Sequence, residues 1–91
     1  MPTKAEKLLE RMRKTKTGWK RQDLDSLYKG FGFIIEAGGN HDRVYHPDFP
    51  QLKRTSLPRH RRVAEYLVTQ AIRLVDELRQ LQIEEDEETD E

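Results

Sequence analysis

The sequence contains no cysteine, which excludes disulfide bonds and thiolate metal sites. It also lacks any apolar run near the ~20 residues that cross a bilayer, and its first residues lack the apolar core of a signal peptide. We therefore expect a cytoplasmic protein with no membrane segment. At 91 residues the chain has room for one domain, and a domain of this size buries only about 60% of its unfolded surface.

A net charge is absent as well, because 17 basic residues balance 17 acidic ones. The balance hides an asymmetry: residues 1–62 carry fifteen Lys and Arg against seven acids, whereas residues 84–91 carry seven acids and no base. A basic body favours a partner that carries phosphates, since polyanion affinity comes largely from neutralising phosphate charge. A solvated surface that only keeps the protein soluble explains the charge equally well.

Hydrophobic spacing predicts three helices. The first segment, TKAEKLLERMRK, begins with a capping box and has a narrow apolar stripe. TKTG then reads as a linker, and a second helix is expected over residues 21–30, ended by Gly30 or Gly32 in the left-handed conformation. The third and longest helix is expected over residues 62–82, where apolar residues recur at helical spacing.

Between the second and third helices the apolar period changes to that of β-strands. FIIEA and HDRVYH flank a Gly-Gly-Asn turn and predict a hairpin, because Gly and Asn tolerate positive φ. QLKRTSL predicts a third antiparallel strand, ended by Pro58. The predicted fold is α+β, with the order helix, three-stranded antiparallel sheet, helix, and an extra N-terminal helix.

This pattern divides the chain into three parts. Residues 1–18 hold the N-terminal helix and linker, and residues 19–83 hold the α+β domain. Residues 84–91 are too charged and too poor in apolar side chains to pack, so we expect them to be disordered.

Three histidines lie near the predicted strands, but their spacing does not predict a metal site. No pair has the helical i, i+4 spacing of a zinc motif, and no cysteine supports them. His46 precedes a proline and is typical of a turn residue. His60 lies in PRHRR before the third helix, where a helix N-terminus favours an anion such as phosphate. The alternative is that these basic residues are only solvated charges.

His41 follows the two glycines and Asn40, so a nucleic-acid backbone could approach it closely. An unperturbed imidazole titrates near pH 6.5, which suits proton transfer at neutral pH. On the residues alone, however, a lone histidine in a turn is more often structural or incidental than catalytic.

Three segments together resemble a known family: GWKRQDLDSLYKGFGF, FIIEAGGNHDRVYHPDF and LKRTSLPRH. They are similar to the HicA toxins of bacterial toxin–antitoxin pairs, which cleave RNA and have a fold like the double-stranded RNA-binding domain. The resemblance covers about residues 19–81. It rests on a helix ending in Gly32 and Phe33, a glycine turn before a histidine, and a strand that runs into a Pro-Arg-His segment.

By this resemblance His41 aligns with the family's catalytic histidine. The family turn commonly reads Gly-Ser-His, whereas this chain has Asn40 before His41. Asp42 stands where a second histidine is often found. The start of the last helix also departs from the Gly-Thr-Leu type common in the family.

The resemblance implies a toxin that cleaves mRNA as an endoribonuclease with His41 as its catalytic residue, and that is paired with a HicB-type antitoxin. We expect His41 to act as a general base, without a metal or another cofactor. The local sequence adds candidates for holding the RNA phosphates: Arg43, Lys53, Arg54, Arg59, His60, Arg61 and Arg62. Two alternatives remain open. One is a non-catalytic RNA-binding module of the same fold, which would recognise helical shape and 2′-hydroxyls. The other is a protein-interaction domain that uses the N-terminal stripe and the sheet edge.

Overall fold

Three helices and three strands make up the protein in this computed structural model, which describes residues 3–89, with side chains through residue 87. In chain order they are α1 (Lys4–Lys14), α2 (Arg21–Gly30), β1 (Ile34–Glu36), β2 (His41–Tyr45), β3 (Thr55–Pro58) and α3 (Glu65–Thr89). The α+β class and the predicted order of elements are confirmed.

The N-terminal helix is part of the core. Thr3 caps α1, since its Oγ1 accepts a hydrogen bond from the Glu6 N–H at 3.1 Å. Leu9 and Met12 are fully buried in the hydrophobic core shared with the other elements. Arg13 adds a bidentate ion pair with Asp76 of α3. The segment outside the family resemblance is therefore packed against the rest of the domain.

The end of α2 fixes how the chain enters the sheet. Gly32 has a φ of 88°, which confirms it as the left-handed residue after the helix. Its N–H donates to the Lys29 carbonyl at 3.1 Å, and the Phe33 N–H donates to the Tyr28 carbonyl at 2.9 Å. Phe33 then turns inward and lies edge-on to the Tyr28 ring, so the following residues begin β1.

The strands form an antiparallel sheet in the order β1-β2-β3, which confirms the predicted hairpin. Ile35 pairs with Val44, and Val44 pairs with Thr55. The third strand is shorter than predicted, because residues 49–52 bend away from the sheet. The Leu52 N–H donates to the Phe49 carbonyl at 3.0 Å, and this turn buries both side chains.

The two faces of the sheet have different surroundings. Val44, Thr55 and Leu57 are buried beneath the helices, and Gln70 of α3 donates a hydrogen bond to the Thr55 hydroxyl. Because side chains alternate along a strand, the neighbouring residues point to the other face, where they are exposed or half-buried. We call this the open face, formed by Ile34, Glu36, His41, Arg43, Tyr45, Ser56 and Pro58.

The bounds of α3 differ from the prediction at both ends. It begins at Glu65, because Arg62 instead forms a β-bridge with Lys20. It continues through residues 84–89, so the predicted disorder is wrong there; residues 90–91 lie outside the described part. Adding residues to an existing helix costs little, glutamate favours helix, and Gln80 donates to Glu84 at 3.4 Å.

The buried face of α3 differs from the helical spacing in the sequence at two positions. That spacing includes Ala64, which precedes the helix and is exposed, and omits Ile72, which is buried. Among the described residues, no helix combines the length and apolar character that a membrane span requires.

Candidate functional site

His41 is the first residue of β2 and is exposed on the open face. It lies opposite Pro58 in the register of the sheet. No side chain or backbone group within residues 3–89 forms a hydrogen bond or ion pair with its imidazole. The ring is therefore available to a ligand that approaches the open face.

The turn before His41 depends on a close backbone contact. A Cβ atom at Gly38 would lie 2.6 Å from the His41 carbonyl oxygen, so no side chain fits at this position without a shift of the backbone. The prediction that the turn uses positive φ is wrong: in the described chain, Gly18 and Gly32 are the residues with positive φ. Gly38 is needed for space, and it keeps the start of β2 uncrowded.

Further polar and aromatic residues follow His41 along the open face. Arg43 and Tyr45 lie on the same side of β2 as His41, and each is about 6.8 Å along the strand from the one before it. The Arg54 guanidinium lies 5.3 Å from the centre of the Tyr45 ring, in a cation–π contact. Glu36 is the cross-strand neighbour of Arg43, so this face carries cations, an aromatic ring and one acid.

Asp42 points the other way and pairs with two arginines. Its Oδ2 accepts from Arg21 Nη2 at 2.7 Å, and its Oδ1 accepts from Arg59 Nε at 3.0 Å. The hydrogen bond from Arg21, assisted by that from Arg59, holds the pKa of the Asp42 carboxyl below its ordinary value. The residue that departs from the family pattern thus has a defined place in this structure.

The same two arginines hold the backbone on both sides of His41. Arg21 Nη1 donates to the carbonyl of Pro58 at 3.1 Å, and Pro58 is the cross-strand partner of His41. Arg59 Nη2 donates to the carbonyl of Gly38, in the turn before His41. Asp42 therefore orients two arginines, one of which bonds the turn before His41 and the other its cross-strand partner.

A second basic region lies between the start of α2 and the segment after β3. The Arg21 N–H donates to the Arg61 carbonyl at 2.9 Å, and a cavity of about 210 Å³ opens beside this contact. We call it the basic cleft; its lining residues are Lys20, Arg21, Gln22, Arg59, His60 and Arg61. The sequence placed the basic segment just before the long helix; in the structure it precedes α3 and also contacts the start of α2 through its backbone.

Six of the seven predicted phosphate-holding residues divide among three places, and Arg62 lies apart from them. Arg43 and Arg54 lie with His41 on the open face, and Arg59, His60 and Arg61 line the basic cleft. Lys53 borders a separate groove along α3, together with Tyr66 and Arg73. Arg62 is exposed and joins α2 through its backbone bridge.

Sequence reasoning missed several residues of the site. Tyr45 has the same strand parity as His41, and this signal could have placed it on the same face. Lys20 and Arg21 gave no such signal, because their contacts with segment 59–62 bridge about forty positions of sequence.

His46 has a structural role. Its side chain is buried, its Nε2 lies 3.2 Å from the Phe31 carbonyl, and its Nδ1 accepts from the Asp48 N–H at 3.2 Å. These contacts fit the neutral ring with the proton on Nε2. Phe33 and Phe49 pack edge-on against the ring. Both nitrogens are occupied, so His46 contributes to folding and not to the open face.

Comparisons with protein-family models, with curated proteins and with solved structures find no match. Function is therefore inferred from the residues and their geometry.

Proposed function

We propose that this protein is a HicA-type toxin with a fold like the double-stranded RNA-binding domain, and that it cleaves mRNA as a metal-independent endoribonuclease. The observation that carries the proposal is His41: it is exposed and unpartnered within the described chain, and two arginines hold the backbone on both sides of it. An imidazole that is free to bond and projects from a held backbone can reach a ligand at the open face, as general base catalysis requires.

In this scheme the free nitrogen of neutral His41 accepts the proton of a ribose 2′-hydroxyl. The 2′-oxygen attacks the adjacent phosphorus, the bond from phosphorus to the 5′-oxygen breaks, and the leaving oxygen takes a proton from water. The products are a 2′,3′-cyclic phosphate end and a 5′-hydroxyl end. Transfer of the proton from His41 to the resulting hydroxide restores the enzyme.

Neighbouring groups on the open face suit the rest of the RNA. Arg43, two residues from His41 on the same side of β2, can stabilise the negative charge on the non-bridging phosphate oxygens. Tyr45 with Arg54 offers a flat surface on which a base can stack, and such stacking tolerates any sequence. These roles explain why cations and an aromatic ring share this face.

The proposed protein partner is a HicB-type antitoxin that covers the open face. An uncovered sheet face with a reactive histidine is the surface that an antitoxin has to block. A small reading frame adjacent to the gene, whose product co-purifies with this chain and stops cleavage, would support the pairing.

The test is cleavage of end-labelled RNA by purified wild-type, His41→Ala, His41→Gln and Asn40→Ala proteins. Asn40→Ala is the control, because it truncates the exposed residue next to His41 and leaves the imidazole intact. We expect cyclic phosphate ends, identified by mass spectrometry, from the wild type and the control only. Cleavage by His41→Ala at the wild-type rate would rule out the proposal.

Two other results would select the alternatives. RNA binding by the wild type without products indicates a non-catalytic RNA-binding module. The absence of salt-dependent RNA affinity indicates a protein-interaction domain instead.

A further inference from the structure

We propose that the basic cleft binds one backbone phosphate of the same RNA strand that is cleaved at His41. This inference rests on the proposed function, and it assigns to the cleft a task separate from the chemistry. The phosphate held there would be a neighbour of the scissile one, so the cleft would increase affinity and set the position of the strand.

The lining of the cleft favours an anion. Five of its six lining residues are basic, and none is acidic. Its volume of about 210 Å³ is below the ~300–1,000 Å³ of typical pockets for larger organic ligands. A small anion such as a phosphate group fits this combination of size and charge.

The walls of the cleft are held by backbone contacts. The hydrogen bond from the Arg21 N–H to the Arg61 carbonyl and the bridge between Lys20 and Arg62 join the start of α2 to the segment after β3. Replacing an exposed side chain in the cleft leaves these backbone contacts in place. Side chains of the cleft can therefore be mutated without disturbing the backbone that shapes it.

Two of the lining arginines already have protein partners. Arg21 directs its three nitrogens to Asp25, to Asp42 and to the Pro58 carbonyl. Arg59 gives Nε to Asp42 and Nη2 to the Gly38 carbonyl. These contacts offset much of their charge and fix both arginines in place, so they shape the cleft more than they supply charge to it.

The remaining basic residues are available to a ligand. The side chains of Lys20, His60 and Arg61 are exposed and have no hydrogen bond or ion pair within residues 3–89. A backbone donor adds to them: the first-turn N–H of Gln22 has no acceptor in the described chain, whereas its neighbours in that turn donate to Arg61 and Lys20 carbonyls. The positive end of the α2 dipole also favours an anion here.

The cleft lies close enough to His41 for one RNA strand to reach both. Arg59 follows Pro58, the cross-strand partner of His41. Paired Cα atoms lie about 5 Å apart and consecutive ones 3.8 Å, which puts the Arg59 Cα within about 9 Å of the His41 Cα. The cleft lies on the Asp42 side of the sheet and His41 on the open face, so one RNA strand that passes the end of β3 at Pro58 can contact both places.

The binding test uses His41→Ala protein as a background that does not cleave RNA. The cleft pair adds Lys20→Ala and Arg61→Ala to this background. The control pair, matched in charge, adds Lys29→Ala and Arg73→Ala, which are exposed outside the cleft. For single-stranded RNA we expect the cleft pair to weaken affinity about tenfold and to reduce the slope of log affinity against log salt by about 0.7, the value for one lost phosphate contact. The control pair should change affinity less than about threefold.

A second measurement locates the phosphate. RNA oligonucleotides with one neutral methylphosphonate at successive linkages should lose affinity for the His41→Ala protein at a linkage beside the cleavage position. The Lys20→Ala, Arg61→Ala protein should be insensitive at that same linkage. Equal losses of RNA affinity in both proteins at that linkage would overturn the proposal, and so would identical salt slopes for the cleft and control pairs. Weaker binding of an acidic protein partner by the cleft pair would not rescue it.

Cleavage assays separate this proposal from the proposed function. With His41 intact, the cleft pair should raise KM about tenfold and leave kcat near the wild-type value, because the chemistry is untouched. An unchanged KM would overturn the cleft proposal while His41-dependent cleavage stands. If the wild type does not cleave RNA, the proposed function fails. A linkage at which the methylphosphonate weakens binding of the His41→Ala protein but not of the Lys20→Ala, Arg61→Ala protein would still show that the cleft binds a phosphate.

Discussion

The two ends of β2 carry the same residue type in opposite roles. His41 begins the strand and His46 follows it directly, five positions later. Because side chains alternate along a strand, the odd position faces the open side and the even one faces the core. His41 is exposed without a partner in the described chain, whereas His46 is 5% exposed with both nitrogens bonded. Strand parity, more than residue type, decides which histidine is available for chemistry.

The largest expected effect is on the His41 end. His41→Ala should reduce RNA cleavage by a factor of at least about 10², the usual contribution of a general base. The free energy of unfolding should change by less than about 0.5 kcal/mol, as for surface substitutions. Cleavage rates and urea unfolding of the same preparation test these two expectations. A large loss of stability would mean that His41 has a structural role.

The opposite result is expected at the His46 end. His46→Ala removes a buried ring and leaves the Phe31 carbonyl and the Asp48 N–H unpaired, so it should lower the free energy of unfolding by about 2–4 kcal/mol. Protein that remains folded should still cleave RNA at a rate close to that of the wild type. Loss of cleavage with normal stability would contradict the division of roles.

Two adjacent glycines offer a sharper contrast at the His41 end. Gly38→Ala should destabilise the protein by about 1–3 kcal/mol, as overpacking does, because its Cβ would lie 2.6 Å from the His41 carbonyl. Gly39→Ala is the matched control, since no atom lies within 4 Å of a Cβ at that position. Thermal unfolding of both variants tests the difference, and equal melting temperatures would show that the close contact is not required.

A smaller effect is expected when the pH is lowered and the Asp42 carboxyl takes up a proton. Its pKa is lowered in the folded state, so its contribution to stability is present above about pH 4, the unfolded value, and is lost as pH falls below it. In Asp42→Asn this contribution is missing at every pH. The free energy of unfolding of the variant should therefore fall less steeply between about pH 5 and pH 2, and curves that stay parallel would disprove the assignment.

The smallest effect is expected from removing the acidic end of α3. Residue 84 lies about 28 Å along the helix from its start, well beyond the ~8 Å screening length at physiological salt. Truncation after Ile83 should therefore change RNA affinity less than about twofold. Any loss of stability should arise at the His46 end, where Glu85 and Asp86 border a cavity beside Phe49. A clear gain in RNA affinity would show that the acidic end competes with RNA.

Local patterns predicted most of the fold. The stripe of α3, the left-handed Gly32 and the hairpin each depend on residues close in sequence. The turn at Phe49 and Leu52 was missed because burial of these side chains competes with strand propensity. The acidic end was misjudged because composition does not account for the low cost of extending a helix that has already formed.

The candidate site was predictable only in part. The resemblance singled out His41, but no local pattern links Asp42 to Arg21, 21 positions earlier. The division of the basic residues between the open face and the cleft depends on how segment 59–62 packs on α2. Such long-range contacts are set by the tertiary structure and carry no signature in one sequence.

The 25-residue helix α3 has a consequence for how the protein meets a polyanion. About 37 Å long at 1.5 Å per residue, it separates the basic segment before its first turn from the cluster of acids in its last turns. Its own backbone dipole points the same way and adds to this separation. The molecule is thus an electric dipole, and the field of a nucleic acid turns it so that the basic end arrives first and the acidic end trails.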